Sequence, residues 1–190
     1  MQTKEILTKF WKFLNEDSWQ SWIVSLILIV LFIKLILFPG LSYLTGSSLP
    51  LVVVESCSMY HESNFDSWWD KNAAWYESKN ITKEQFQSFP FKSGLNKGDI
   101  ILVIGKDKYE TGDIIIFNAN SQYPLIHRIV TQEPIGTKGD HNIDQISSME
   151  KDISKENIIG KSYVKIPLLG WIKLIFFEFK KPVNERGFCK

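Results

Sequence analysis

One serine and one histidine of this sequence have side chains that could together hydrolyse a bond through a covalent intermediate. Ser58 lies in the string Glu-Ser-Cys-Ser-Met, just after an apolar run that ends at Val54, and His127 lies inside the run Leu-Ile-His-Arg-Ile-Val. A serine at a strand end can act as a nucleophile when a base is near. Histidine is the usual base because it titrates near neutral pH. Together they predict acyl transfer, although a turn serine or a strand histidine taken singly is more often structural.

A third segment supplies acidic side chains. Residues 137–144, Thr-Lys-Gly-Asp-His-Asn-Ile-Asp, are predicted to form a glycine-containing loop that carries Asp140 and Asp144. An aspartate hydrogen bonded to the imidazole of His127 would orient it and stabilise its protonated form. The alternative is an ordinary Gly-Asp turn with solvated charges.

Cys57 is a second candidate for the nucleophile, because thiols are better nucleophiles than hydroxyls. It could equally pair with Cys189 outside the cell, and the sequence does not decide, since pairing depends on geometry. Two cysteines are too few for a disulfide framework or a four-sulfur metal site.

The elements that must position these residues follow from the hydrophobic pattern. Short runs rich in Val and Ile, bounded by Gly, Asp, Asn or Pro, predict strands, and the absence of alternating helices predicts a mainly antiparallel β domain. The predicted strands are 51–54, 100–104, 114–117, 126–130 and 162–166.

An aromatic-rich segment, residues 61–96, interrupts the strands. Its Phe, Trp and Tyr residues at helical spacing predict one helix, and Thr82 with Gln85 is typical of a capping box that opens a shorter helix ending before Pro90. We expect the aromatic stripe to pack onto the β domain rather than to touch a membrane.

The amino-terminal part predicts a membrane anchor. Residues 22–44 are apolar apart from a few positions and would form a helix about 34 Å long, enough to cross a hydrocarbon core of about 30 Å. Lys4, Lys9 and Lys12 precede it, and Pro39–Met59 contains neither Lys nor Arg, so the positive-inside rule predicts a cytoplasmic amino terminus.

This pattern gives a cytoplasmic segment 1–21, a transmembrane helix 22–44 and an extracytoplasmic β catalytic domain 45–190. Residues 167–177 are apolar but too few to span, and are predicted to be an interfacial segment or a core element. The 190-residue chain has a net charge of +1, which argues against nucleic acid as a partner.

Taken together, these pieces resemble the type I signal peptidase family. The resemblance rests on their order: one amino-terminal anchor, a Ser-x-Ser-Met box directly after it, paired Gly-Asp strand starts, an Ile-His-Arg-Ile strand, a Thr-Lys-Gly-Asp loop and a closing Pro-x-x-Gly-Trp. Bacterial members have a lysine base where this chain has His127. Histidine there resembles the archaeal and endoplasmic-reticulum branch.

The resemblance implies roles for individual residues. Ser58 is implied as the nucleophile, His127 as the general base and then acid, and Ser56 as a donor to the oxyanion beside the Ser58 backbone N–H. Asp140 matches an aspartate important for activity, and Asp144 is the nearby candidate for a second one, so which of them faces His127 stays open. No cofactor or metal is implied.

Three features depart from the family pattern. His61 stands where a proline is usual, Cys57 replaces a small residue between the serines, and the insertion 61–96 is much longer than usual. None of them removes a catalytic group.

The function implied is a serine endopeptidase that removes signal peptides from exported precursor proteins, anchored in the cell membrane or, alternatively, the endoplasmic-reticulum membrane, with or without further complex subunits. The rival is an inactive membrane-anchored β domain that binds peptides or serves as an accessory subunit. Metal binding by the three histidines is disfavoured, because their spacings match no standard zinc pattern.

Overall fold

The computed structural model describes residues 2–119 and 123–190. They form two compact units, one ending at Leu44 and the other beginning at Thr45. The first unit is helical: α1 spans Gln2–Leu14, α2 spans Trp19–Phe32, and a π-helical segment, Ile33–Leu37, leads into α3, Phe38–Thr45.

One continuous apolar helix runs over Trp19–Thr45, with a mean hydropathy of 2.7 over its most apolar window and with little of its surface buried. Ser18 caps its start by accepting a hydrogen bond from Ser21 N at 3.3 Å. By length and composition this helix fits a single membrane span, as the sequence predicts.

The second unit is built on one antiparallel six-stranded sheet, which confirms the predicted fold class. The strand order is β1-β2-β6-β3-β4-β5, so β1 and β5 form its two edges. The strands are β1 Leu51–Val53, β2 Ile100–Ile104, β3 Ile114–Phe117, β4 Leu125–Gln132, β5 Ile135–Lys138 and β6 Ile158–Ile166.

Among the strands just given, β5 is the one that the pattern does not predict. Thr137 and Lys138, expected to open a loop, are its last two residues, paired with Ile129 and Arg128 of β4. Its sequence, Ile-Gly-Thr-Lys, has one large apolar residue and so lacks a strand pattern. Cross-strand pairing and the cover of the short helix α6, Ser147–Lys151, bury it instead.

Two strands start with the same local structure. Gly98 and Gly112 both have positive φ, 92° and 95°, which a glycine adopts at little cost. The aspartate after each accepts a backbone hydrogen bond three residues back, Asp99 from Asn96 N at 2.8 Å and Asp113 from Glu110 N at 3.0 Å. The paired Gly-Asp steps thus start β2 and β3 with one repeated turn.

The insertion forms two helices, α4 Phe65–Glu77 and α5 Lys83–Ser88, and the predicted Thr82–Gln85 capping box opens the second. Their inward side chains form a cluster that includes Val130 of β4, so the expected packing onto the β domain is confirmed. The buried members are Trp68, Trp69, Tyr76, Ile81, Phe86 and Val130.

The carboxyl-terminal segment follows β6 as a short helix α7, Trp171–Leu174, and two 3-10 turns, Glu178–Lys180 and Val183–Glu185. Leu174 is buried, whereas Ile172, Ile175 and Phe176 are each more than 60% exposed. The segment is therefore a surface element rather than a part of the core, and its contact with a bilayer stays a prediction.

Candidate active site

Ser58 lies in a tight turn that follows β1. The turn closes with Tyr60 N donating to Cys57 O at 3.0 Å. Met59 anchors it, because its side chain is fully buried and its carbonyl accepts a hydrogen bond from Leu95 N at 2.8 Å. Ser58 is half-buried, and its Oγ lies 3.2 Å from the Oγ of Ser56. The two serines thus present neighbouring hydroxyls.

His127 is held by a buried carboxylate. It lies on β4, opposite Ile115 of β3, with 2% of its surface exposed. Its Nδ1 is hydrogen bonded to Oε1 of Glu150, a fully buried residue of α6. Thr137 Oγ1 donates to the same oxygen at 3.2 Å, and Ile146 N donates to Oε2. Both carboxylate oxygens are occupied, which fixes the carboxylate and with it the imidazole ring.

Ser58 and His127 meet at Gly139. A Cβ built on Gly139 would lie 2.7 Å from Ser58 O and 2.9 Å from His127 Nε2. Because both atoms lie this close to one point, the distance between Ser58 O and His127 Nε2 cannot exceed the sum of the two values. A backbone bond from His141 N to Ser58 O, 2.8 Å long, ties the serine turn to the segment after β5. The absence of a side chain at Gly139 makes room for this close approach.

The tautomer of His127 follows from its partner. Beside an ionised carboxylate, which only accepts hydrogen bonds, a neutral imidazole carries its proton on Nδ1 and keeps a lone pair on Nε2, the form that a general base requires. Within residues 2–119 and 123–190 no direct hydrogen bond joins this Nε2 to Ser58 Oγ. Such bonds are often long in enzymes without substrate and shorten in the substrate complex.

Asp140 faces away from this pair, toward a separate buried network. Its carboxylate accepts hydrogen bonds from Arg128 Nε at 3.0 Å and Nη2 at 2.7 Å, and from Tyr76 OH at 3.1 Å. His61 Nε2 lies 3.0 Å from Oδ2. Burial alone would raise the pKa of Asp140, but Arg128 and the His61 hydrogen bond hold it well below its ordinary value.

Arg128 connects this network to the insertion. Its Nη1 donates to Pro90 O at 2.8 Å and to Gly112 O at 2.9 Å, and its Nη2 donates to Phe91 O at 3.0 Å. Asp140 therefore supplies the countercharge of an arginine that joins β4, the insertion and the turn before β3. The structure thus pairs Asp140 with Arg128, and its implied importance for activity stays a prediction.

Asp144, the other aspartate of this segment, lies at the surface. It is exposed and accepts a hydrogen bond from the indole Nε1 of Trp75 at 2.9 Å. That bond, followed by one from Gln145 N, lowers the pKa of Asp144. Asp144 thus attaches helix α4 to the loop after β5 and has no contact with His127.

Glu150, the hydrogen-bond partner of His127, cannot be identified from the sequence. It lies in the string Ser-Ser-Met-Glu-Lys, which resembles an exposed helical turn and carries no pattern that predicts burial. Only the fold, by placing α6 over β5, brings its carboxylate to His127.

Cys57 is joined to Cys189 in a disulfide with a Cα–Cα distance of 5.6 Å, which selects one of the two alternatives that the sequence leaves open. The sulfur between the two serines is therefore not a free thiol. Ser58 is left as the nucleophile candidate of this turn.

Lys138 is buried beside the site. Its Nζ donates to Gly139 O at 3.1 Å and lies 4.9 Å and 5.1 Å from the ring centroids of Trp75 and Tyr76. Burial lowers the pKa of Lys138 to about 8, although Asp140 and then Glu150 oppose the shift. The lysine thus packs as an amphipathic side chain under the insertion.

Known proteins resemble this chain over most of its length. It is 22% identical to the signal peptidase complex catalytic subunit sec11 of Neurospora crassa over 79% of this chain and 77% of that protein. It is 23% identical to sec11 of Penicillium rubens, over 79% and 75%, and 22% identical to the catalytic subunit SEC11C of Canis lupus familiaris, over 77% and 67%. No family model matches the chain.

Proposed function

We propose that this chain, which is similar over most of its length to type I signal peptidases of the Ser-His branch, is a membrane-anchored serine endopeptidase that removes signal peptides. The observation that carries the proposal is the close approach of the Ser58 backbone carbonyl and His127 Nε2 at Gly139, although the two residues lie far apart along the chain. The relatives are named signal peptidase complex catalytic subunits, which supports the same activity.

The reaction begins with the attack of Ser58 Oγ on the carbonyl carbon of the scissile peptide. His127 Nε2 takes the hydroxyl proton, and Glu150 stabilises the resulting imidazolium through Nδ1. His127 then gives the proton to the leaving amine, and the acyl-enzyme forms. Water, deprotonated by the same nitrogen, releases the signal peptide as a free acid and restores the serine.

Developing negative charge on the carbonyl oxygen needs fixed donors. The Ser56 hydroxyl, 3.2 Å from Ser58 Oγ, and the backbone N–H of Ser58 are the proposed pair. Donors that are already in place cost little reorganisation during the reaction.

The substrate is a precursor with small side chains before the cut, presented as an extended segment. β1 is an edge strand that leads into the serine turn, which supports binding of that segment as an added strand. The apolar helix Trp19–Thr45 anchors the enzyme in the bilayer that also holds the precursor, and this raises their effective concentration.

The proposed orientation places the amino terminus in the cytoplasm and residues 45–190 outside, in a cell membrane or, alternatively, in the lumen of the endoplasmic reticulum. The lysines before the helix support it. Asp140 and Asp144 are proposed to stabilise the site's surroundings rather than to take part in proton transfer. Partner subunits are proposed because the relatives are named as parts of a complex.

The test is cleavage of a precursor with an Ala-x-Ala site by the full-length chain in liposomes, with the product identified by mass spectrometry. Ser58→Ala should abolish cleavage, and the matched variant Ser63→Ala, at an exposed serine of the insertion, should retain it. A fluorophosphonate should label Ser58. Binding of the precursor without cleavage or labelling would favour the inactive peptide-binding subunit instead.

A further inference from the structure

The disulfide fixes the residue between the two candidate catalytic serines to the far end of the chain. Cys57 lies between Ser56 and Ser58, and Cys189 is the penultimate residue. The bond therefore joins the serine turn to the carboxyl-terminal segment, which we call the strap, residues 171–190. Both cysteines are half-buried, so a small reductant can reach them.

The strap is itself fixed to the β domain by buried contacts. Lys97, 2% exposed, donates to Glu178 Oε2 at 2.7 Å and to Glu185 O at 2.6 Å. Trp171 Nε1 donates to Lys97 O at 3.0 Å, and its ring lies 4.6 Å from that of Phe188. The strap thus has an ordered position from which it can hold another part of the molecule.

Two polar contacts of the strap reach the start of the serine turn. Lys173 Nζ donates to Glu55 Oε1 at 2.8 Å, and Lys181 Nζ donates to Glu55 O at 2.7 Å. Both are exposed contacts of flexible side chains, which hold geometry weakly. The disulfide is the covalent link, and it acts two residues further on, directly beside the nucleophile.

We propose that the Cys57–Cys189 disulfide is a positioning element for the proposed reaction, which keeps Ser56 and Ser58 in register with His127 and makes turnover depend on an oxidising compartment. The inference rests on the proposed function. The turn is held at Ser58 O by His141 and at Met59 O by Leu95, and the disulfide supplies its restraint on the other side of Ser58. A displacement of about 1 Å at a reacting atom costs about a hundredfold in rate.

The redox step is simple. A dithiol such as dithiothreitol gives two electrons and two protons, the S–S bond breaks, and the thiols of Cys57 and Cys189 form while the dithiol becomes a cyclic disulfide. The strap keeps its contacts to Lys97 but loses its bond to the serine turn.

The experiment compares the full-length wild type with Cys189→Ser in liposomes, each with and without dithiothreitol. Cys189→Ser leaves the string Ser-Cys-Ser intact and lies outside the proposed machinery. We expect kcat to fall at least tenfold with KM within about twofold, and the labelling rate of Ser58 by a fluorophosphonate to fall in parallel. The kcat and the labelling rate of reduced wild type should fall to the same level and recover on reoxidation. Those of Cys189→Ser should be the same with and without the reductant.

Three results would overturn the proposal: a kcat of folded Cys189→Ser within twofold of wild type, an unchanged labelling rate in reduced wild type, or a loss of activity that only follows the unfolded fraction measured by near-ultraviolet circular dichroism. Arg186→Gln is the matched control, because it removes exposed hydrogen bonds within the strap and keeps the disulfide. If wild type cleaves nothing under oxidising conditions, or Ser58→Ala still cleaves, the proposed function itself fails.

Discussion

Glu150 and His127 are hydrogen bonded to each other in the interior of the β domain, one from a five-residue helix and the other from a central part of strand β4. Neither residue is more than 2% exposed. The acid that fixes the candidate base thus comes after the Thr-Lys-Gly-Asp segment and not from within it. The Glu150–His127 pair is thus separate from the Asp140–Arg128 ion pair.

Glu150→Gln should lower kcat on the order of a thousandfold, because an amide can hold His127 in the wrong tautomer and stabilises an imidazolium poorly. Steady-state cleavage of a signal peptide substrate measures it. Asp144→Asn is the matched control and should stay within about twofold of wild type, since Asp144 is exposed and binds Trp75. Equal losses in the two variants would contradict the assignment of Glu150.

Gly139→Ala should abolish most of the activity. The added methyl would lie 2.7 Å from Ser58 O and 2.9 Å from His127 Nε2, well inside ordinary contact distance. Because one neighbour is backbone, the serine turn and the imidazole must move apart, and we expect a loss of at least a hundredfold in labelling of Ser58 by a fluorophosphonate. Gly40→Ala, where nothing lies within 4 Å, serves as the control and should label at the wild-type rate.

Asp140→Asn should destabilise the β domain by about 3–5 kcal/mol, because it leaves the buried guanidinium of Arg128 without its countercharge. Denaturant unfolding in detergent, followed by tryptophan fluorescence, gives the free energy. A destabilisation below about 1 kcal/mol would show that Arg128 does not depend on this carboxylate.

The pH dependence of stability should also change in Asp140→Asn. The pKa of Asp140 is lower in the folded state than in the unfolded state, so its contribution is fully present above the unfolded value, about 4, and is lost as the pH falls toward the folded value. Wild type should therefore lose stability between pH 5 and 3 more steeply than the variant. Parallel unfolding profiles over this range would be inconsistent with a depressed pKa.

Lys138 predicts a gain of stability with rising pH in the alkaline range. Its pKa is about 8 in the folded state, against about 10.4 for an unfolded lysine, so between these values the unfolded chain binds the extra proton. Wild type should gain stability as the pH rises from 8 to 10 relative to Lys138→Met. Lys92→Met, at an exposed lysine, is the control, and it should follow the wild-type profile.

Much of the fold is predictable because local pattern and long-range structure agree. The Val- and Ile-rich runs, the repeated Gly-Asp turns and the Thr82–Gln85 capping box each form where their residue types favour them. Strand β5 is different. Thr137 and Lys138 are buried by pairing with β4, which depends on tertiary structure and leaves no trace in the local sequence.

The candidate site is predictable to the extent that it depends on motifs. The string Ser-Cys-Ser-Met and the strand His-Arg supply Ser58 and His127, but motifs do not show which acid a histidine faces. Two aspartates follow β5 within a few residues, and Arg128 and Trp75 bind them instead. Glu150 contacts His127 because α6 packs over β5, and the spacing of residues along the chain does not reveal this packing.

The position of Cys189 has a practical consequence for handling the protein. An affinity tag or reporter joined directly after Cys189 would emerge next to the bond to Cys57 and beside the candidate nucleophile. A bulky fusion at that position would crowd the turn that carries Ser58. Purification handles are better placed in the unit that ends at Leu44, which does not contain the candidate nucleophile.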